Sequence, residues 1–285
     1  MKQQVRLLAI DIDGTLLDSH QQISPETLAA LQKAHTSGLR IVLVTGRRHT
    51  FALPIARQLG FDLCLISSNG AVTRTLSGES FHIDLMSAEV ARRVCRHLRD
   101  FHDCMVVTFD KEEPGALALE HKHNLEASLA RWIEKNKDHI QWVTPIESCL
   151  TSSPLQLMVC GTVEAMRPAE ALLIESPSSN EITLLKTEYV ARDLCFLDIL
   201  SASCSKGAAV SRFANRFGID RAEIMAIGDN FNDIEMLEVA GYPVVMGNAS
   251  ALMKRTGWFV TRTNDEHGVA HAVEAIFSGS LEGLS

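Results

Sequence analysis

Val5-Arg6-Leu7-Leu8-Ala9-Ile10-Asp11-Ile12-Asp13-Gly14-Thr15 decides the fold: Val5 to Ile10 is a short, β-rich apolar run that stops abruptly on two acids and a glycine. Pro25 to Ser37 follows with helical spacing after a Ser24-Pro25 start, and Leu39 to Val44 is a second strand of the buried type. Together they make a βαβ unit. A helix around Thr50 to Leu59 and a strand Leu63 to Ser67, ended by the turn signal Ser68-Asn69-Gly70, extend the alternation. The pattern resumes late in the chain, with Lys206 to Phe217 as helix, Ile224 to Ile227 as strand, Asp233 to Ala240 as helix and Pro243 to Met246 as strand. Such alternation predicts an α/β fold, a doubly wound parallel sheet whose chemistry lies at the carboxyl ends of the strands.

Between these stretches the grammar changes. Ala88 to Phe101 and Leu125 to Lys137 read as long amphipathic helices beside strands such as Met105 to Phe109 and Leu155 to Cys160. Residues 83 to about 195 are therefore expected to form an inserted α+β module, with 1–82 and 196–285 as the core. The Ser/Pro stretch Ser176 to Ser179 reads as a loop of that module. A length of 285 residues suits two domains, and 46% apolar with 22% charged residues is an ordinary globular balance. The formal charge of -8, with no long Lys or Arg run, argues against nucleic acid or an anionic membrane as partner. Met1 to Arg6 is too short for a signal peptide, and no segment approaches the roughly 20 apolar residues of a membrane span. Seven cysteines without a CxxC pair point to a reducing cytoplasm, most of them as small buried hydrophobes.

Two adjacent carboxylates at a strand end raise each other's energy unless a cation or proton is shared between them, although Asp-Gly is also a common turn dipeptide. Thr45-Gly46-Arg47 follows the second strand and offers a hydroxyl and backbone N–H groups to an anion. Ser203-Cys204-Ser205-Lys206-Gly207 opens a helix with an ammonium at its positive end. Gly228-Asp229-Asn230-Phe231-Asn232-Asp233 follows the strand Ile224 to Ile227 and again ends a strand in carboxylates.

In this order, strand-DIDGT, strand-TGR, helix-opening SKG and strand-GDNFND resemble the haloacid dehalogenase-like superfamily of phosphatases. The insert between the second and third motifs, and Met246-Gly247-Asn248-Ala249 after the fourth, resemble its Cof-type branch, subfamily IIB. The resemblance implies a Rossmann-like core with an inserted cap and a Mg2+-dependent phosphatase acting on a small phosphorylated metabolite: a sugar phosphate, pyridoxal phosphate or a flavin-type nucleotide. It implies Asp11 as the nucleophile that forms an aspartyl phosphate, and Asp13 as general acid and base. Mg2+ would be held by Asp11, the backbone carbonyl of Asp13 and Asp229, with Asp233 behind them or reaching the ion through water. Ile12, Thr45, Gly46, Lys206 and Asn232 would hold the phosphoryl group, and Asn69-Gly70 would line the substrate side.

His121-Lys122-His123 reads as a solvated surface rather than a metal site. Trp132 and Trp142 read as packing or rim residues. Arg47 and Arg48 fit either a ligand contact or a solvated helix start. Two other functions stay open: a phosphomutase using the same aspartyl phosphate, and a non-catalytic metabolite-binding protein on this fold.

Overall fold

The computed structural model describes residues 4–111, 114–120, 132–134, 136–189 and 193–279. It divides into two compact units, Met1–Ile83 with Ser205–Ser285, and Asp84–Cys204.

The first unit is built on an eight-stranded sheet. Its centre is β1 (Leu7–Asp11), flanked by β2 (Arg40–Val44) and by β12 (Ile224–Gly228), both parallel to it. Outward from β2 lies β3 (Cys64–Ser67), and outward from β12 lie β13 (Tyr242–Val245) and β14 (Phe259–Val260), also parallel. The sequence from Val72 to Ile83 adds an antiparallel hairpin, β4 (Val72–Thr75) and β5 (Ser80–Ile83), giving the order β14-β13-β12-β1-β2-β3-β4-β5. The chain runs outward from β1 to β5, leaves, and returns on the other side of β1, so the switch point of the sheet lies between β1 and β12. That is where an open α/β sheet carries its ligand site.

Both faces of this sheet are covered. Helices α1 (Pro25–Thr36), α2 (His49–Arg57) and the C-terminal α7 (Gly268–Ser278) pack Leu31, Ala34, Ile55 and Val273 against Leu8, Ile10 and Leu43. On the opposite face α5 (Lys206–Arg216) and the one-turn α6 (Ile234–Glu238) pack Val210, Phe213 and Leu237 against Leu7, Ala9 and Val44. The start of α1 follows its sequence signal: Ser24 caps the helix by accepting from Thr27 N–H, and Pro25 occupies the first turn, where its missing N–H costs nothing.

The second unit is a six-stranded sheet in the order β10-β11-β9-β6-β7-β8, mostly antiparallel. Its strands are β6 (Met105–Thr108), β7 (Leu117–Glu120), β8 (Ile140–Val143), β9 (Gln156–Gly161), β10 (Ile182–Tyr189) and β11 (Leu194–Ser201). Helices α3 (Ala88–His97) and α4 (Val163–Ile174) cover one face with Val90, Val94, Met166 and Leu173, over Val107, Leu157, Val159 and Leu197. The unit extends past residue 195 because β11 pairs with β9 along Cys195 to Ile199. Its two ends meet, the Ser203 hydroxyl donating to Asp84 at 3.0 Å.

The expected helix Leu125 to Lys137 lies mainly outside the described residues, although 132–134 are helical, and His121-Lys122-His123 lies wholly outside them. Trp132 is half-buried beside Val106, Leu117 and Met158, and Trp142 is exposed. Among the described residues no disulfide joins the cysteines. Among the described residues no helix is long and apolar enough to cross a membrane.

Candidate active site

Strand alternation aims the first acid. Along β1, Leu8 and Ile10 face the α1 layer while Leu7 and Ala9 face the α5 layer, and side chains two apart share a face. Asp11 continues the Leu7–Ala9 row, so its carboxylate faces α5, whose first residue is Lys206. The Lys206 ammonium donates to Asp11 Oδ1 at 2.7 Å and to Asp233 Oδ1 at 2.6 Å, with the lysine 1% exposed. Burial pulls the lysine toward neutrality, but the charges of Asp11 and Asp233 outweigh it and hold the ammonium above its ordinary range.

Asp233 is engaged through both oxygens. Its Oδ2 accepts from the backbone N–H of Asp229 at 3.0 Å and of Asn230 at 3.1 Å, while Oδ1 accepts from Lys206. It therefore shapes the Gly228–Asp233 loop and aims Lys206. Asp229 sits across from Asp11, and its Oδ1 accepts from the Thr15 hydroxyl at 3.2 Å. Gly14 makes room for it: with φ at +80°, a Cβ there would lie 2.4 Å from Asp229 Oδ2.

Asp11, Asp229 and Asp233 each present a carboxylate oxygen within 4.8 Å of the others. Burial, then the charge of Asp233, push Asp11 well above the usual carboxylate range, and the same two causes push Asp229 up to about 7. One ammonium does not neutralise three carboxylates, and this donor set of hard oxygens suits a divalent cation such as Mg2+.

Asp13 turns elsewhere. Its two carboxylate oxygens receive the Arg47 guanidinium side-on, Nε donating to Oδ2 at 2.7 Å and an η nitrogen to Oδ1 at 2.5 Å. Arg47 lies part-exposed just ahead of α2, and its fork grips the second acid. Thr45 lies at the end of β2, buried, its hydroxyl accepting from Arg47 N–H at 3.1 Å and its carbonyl from Asn69 N–H at 3.0 Å. Asn232 donates to Asn69 Oδ1 at 3.5 Å, and Gly46 lies against the same amide, so Thr45, Gly46, Asn69 and Asn232 form one cluster. Ile12 buries its side chain in the core and gives the loop its carbonyl, which accepts from Leu17 N–H at 3.0 Å.

Three residues to which the sequence reading gave no role also act here. Thr15 steadies Asp229, and Asn248 of the Met246-Gly247-Asn248-Ala249 stretch donates to the Gly14 carbonyl at 2.8 Å. Gln21 Oε1 accepts from Arg47 at 2.9 Å.

A parallel sheet wound by helices on both faces, with acids at the ends of adjacent central strands and a lysine-headed helix against them, puts the chain among doubly wound α/β proteins, and comparison with known proteins gives the family. Residues 8–273 match the model described as haloacid dehalogenase-like hydrolase, and the chain belongs to that family. It is 30% identical over 290 residues to the phosphatase YwpJ of Bacillus subtilis, covering 95% of this chain and 99% of that one. It is 30% identical over 255 residues to the HMP-PP phosphatase of Serratia proteamaculans, covering 87% of this chain and 86% of the relative. The solved structure of a haloacid dehalogenase-like hydrolase from B. subtilis is similar throughout, with a TM-score of 0.78, 27% identity, and coverage of 95% of this chain and 99% of that one.

Proposed function

We propose that this protein is a Mg2+-dependent phosphatase that removes phosphate from a small phosphorylated metabolite through an aspartyl phosphate on Asp11. The observation that carries this is Lys206, buried and bonded at once to Asp11 and Asp233. An ammonium held at that point keeps one oxygen of Asp11 engaged, leaves the other for attack, and offsets charge on a phosphoryl group arriving there.

Asp11 Oδ2 would attack phosphorus in line with the departing oxygen, and a proton from Asp13 would neutralise the leaving alkoxide. Asp13, now a carboxylate, would take a proton from the water that opens the acyl phosphate, freeing Asp11 and inorganic phosphate. Thr45, Gly46, Asn69 and Asn232 would hold phosphoryl oxygens from the other side. When bound, Mg2+ would supply charge neutralisation and polarise the phosphoryl oxygens, held by Asp11, Asp229 and the Asp13 carbonyl with Asp233 behind. The second unit, Asp84–Cys204, is assigned the choice of leaving group, and seven cysteines without a CxxC pair support a reducing compartment.

Asp11→Asn should abolish Mg2+-dependent phosphate release from an aryl phosphate while the far-UV spectrum and melting profile stay native. Turnover at the wild-type rate in that variant would remove the assignment. Phosphate appearing in step with substrate loss separates hydrolysis from a mutase, which would return the phosphoryl group to a sugar.

A further inference from the structure

We infer that Gln21 is a positioning residue for the proton-transfer steps, acting on Asp13 through Arg47; this rests on the role proposed for Asp13 above. The geometry is a relay. One η nitrogen of Arg47 is shared between Asp13 Oδ1 and the Gln21 side-chain Oε1, while Nε holds Asp13 Oδ2. A guanidinium delivers two parallel N–H bonds to a carboxylate only when its plane is fixed, and the Gln21 acceptor fixes it from the far side.

Gln21 is exposed, and an exposed loop glutamine is ordinarily a solvated residue with no further role. Two observations set this one apart. First, its backbone is left-handed, at φ +62°, a conformation that glycine or asparagine normally supplies and that is unfavourable for glutamine. Second, the loop that carries it is pinned from several directions. Asp18 Oδ1 accepts from the N–H groups of His20 and Gln22, and Gln21 N–H donates to the Asp18 carbonyl. Asp265 accepts from Ser19 N–H at 2.8 Å, Asn264 donates to the Leu17 carbonyl at 2.9 Å, and Asn248 holds the Gly14 carbonyl while accepting from Asn264 N–H. A loop held this firmly, with an unfavourable kink at a residue whose side chain reaches Arg47, directs that side chain to a purpose.

The chemistry gives a readout that a merely structural role would not move. Protonation of the leaving oxygen matters for phenyl phosphate, whose phenolate departs poorly, and matters little for 4-nitrophenyl phosphate, whose anion departs unaided. Gln21→Ala and Gln21→Gly should slow phosphoenzyme formation from phenyl phosphate on the order of tenfold, with 4-nitrophenyl phosphate and both KM values within about twofold of wild type. Gln21→Gly relieves the left-handed backbone without restoring the acceptor, so its loss separates the hydrogen bond from loop geometry; Gln21→Glu, which keeps an acceptor, should restore the rate. Equal slowing on both esters, or a Gln21→Gly variant at the wild-type rate on phenyl phosphate, overturns the inference. Asp13→Asn run alongside tells the two failures apart. If it raises the nitrophenyl-to-phenyl ratio while the Gln21 variants do not, the relay alone falls. If it leaves the ratio unchanged, or if the wild type forms no phosphoenzyme, the role of Asp13 falls and the relay with it.

Discussion

Lys206 concentrates the energetic stakes of the site in one side chain. It is the largest fully buried side chain of the described residues, and it stands between two carboxylates that burial alone would leave uncompensated. Removing one partner of a buried ion pair costs about 3–5 kcal/mol, because the remaining charge keeps its desolvation penalty. Lys206→Met, close in length and apolar, should therefore lower the unfolding free energy by about that much and reduce kcat by roughly 10²–10³. Urea unfolding and steady-state rates check both, and a variant as stable and active as wild type would remove the central role of this lysine. Asp11, Lys206 and Asp229 were legible in the sequence because each sits at a punctuation point, a strand end or a helix start. The grip of Arg47 on Asp13 was not, since it joins side chains 34 positions apart whose orientation no local pattern encodes. Nor was the engagement of both Asp233 oxygens, which depends on the curl of a loop as much as on its residues.

Packing between elements also positions these residues, and the Ser68–Gly70 turn lies close against the start of α5. Ser68 and Asn69 are both left-handed, at φ +48° and +53°, and Gly70 follows at +107°. A Cβ on Gly70 would lie 2.3 Å from the Ser205 carbonyl oxygen, at the N-cap of the helix that begins with Lys206. Gly70→Ala must therefore push on backbone, and overpacking of this kind costs about 1–3 kcal/mol before the strain at positive φ is added. The displacement falls on Lys206, so activity should drop at least about tenfold along with stability. Gly218→Ala provides the control, with φ at +60° and nothing within 4 Å of the added carbon. It carries backbone strain without a clash and should keep wild-type kcat, so equal losses in the two variants would show that strain, not the approach to α5, is what matters. The turn itself was readable as Ser-Asn-Gly, and helix starts were readable where Ser24-Pro25 and Ser205-Lys206 announce them. The β4–β5 hairpin was not, because its half-exposed strands, with Thr73, Arg74, Ser80 and His82 among them, lack the apolar run that marks β1 or β2.

At the scale of the whole molecule, the fold gathers acids from the ends of β1 and β12 at the switch point of the sheet, and this places a pH-dependent cost on the folded state. Asp229 is pushed from an ordinary value of 3.8 to about 7 by burial and by Asp233. A carboxyl whose pKa is raised on folding holds a proton that the unfolded chain releases, so stability is greatest below the unfolded value and declines as pH rises through the window from 3.8 to about 7. Asp11 is shifted in the same direction, whereas the raised Lys206 acts only above the ordinary lysine value of 10.5, outside this window. A divalent cation binds the ionised carboxylates of the folded state and competes with those protons, so its stabilisation should grow with pH. In EDTA, the melting temperature should fall between pH about 5 and about 8; added Mg2+ should restore several degrees at the higher pH and little at the lower. Asp229→Asn has no carboxyl to titrate at that position and should flatten both trends, with a higher melting temperature in EDTA at pH about 8 than wild type and a diminished response to Mg2+. A Mg2+ shift of equal size at both pH values, or one retained in full by Asp229→Asn, would place the cation somewhere other than this cluster.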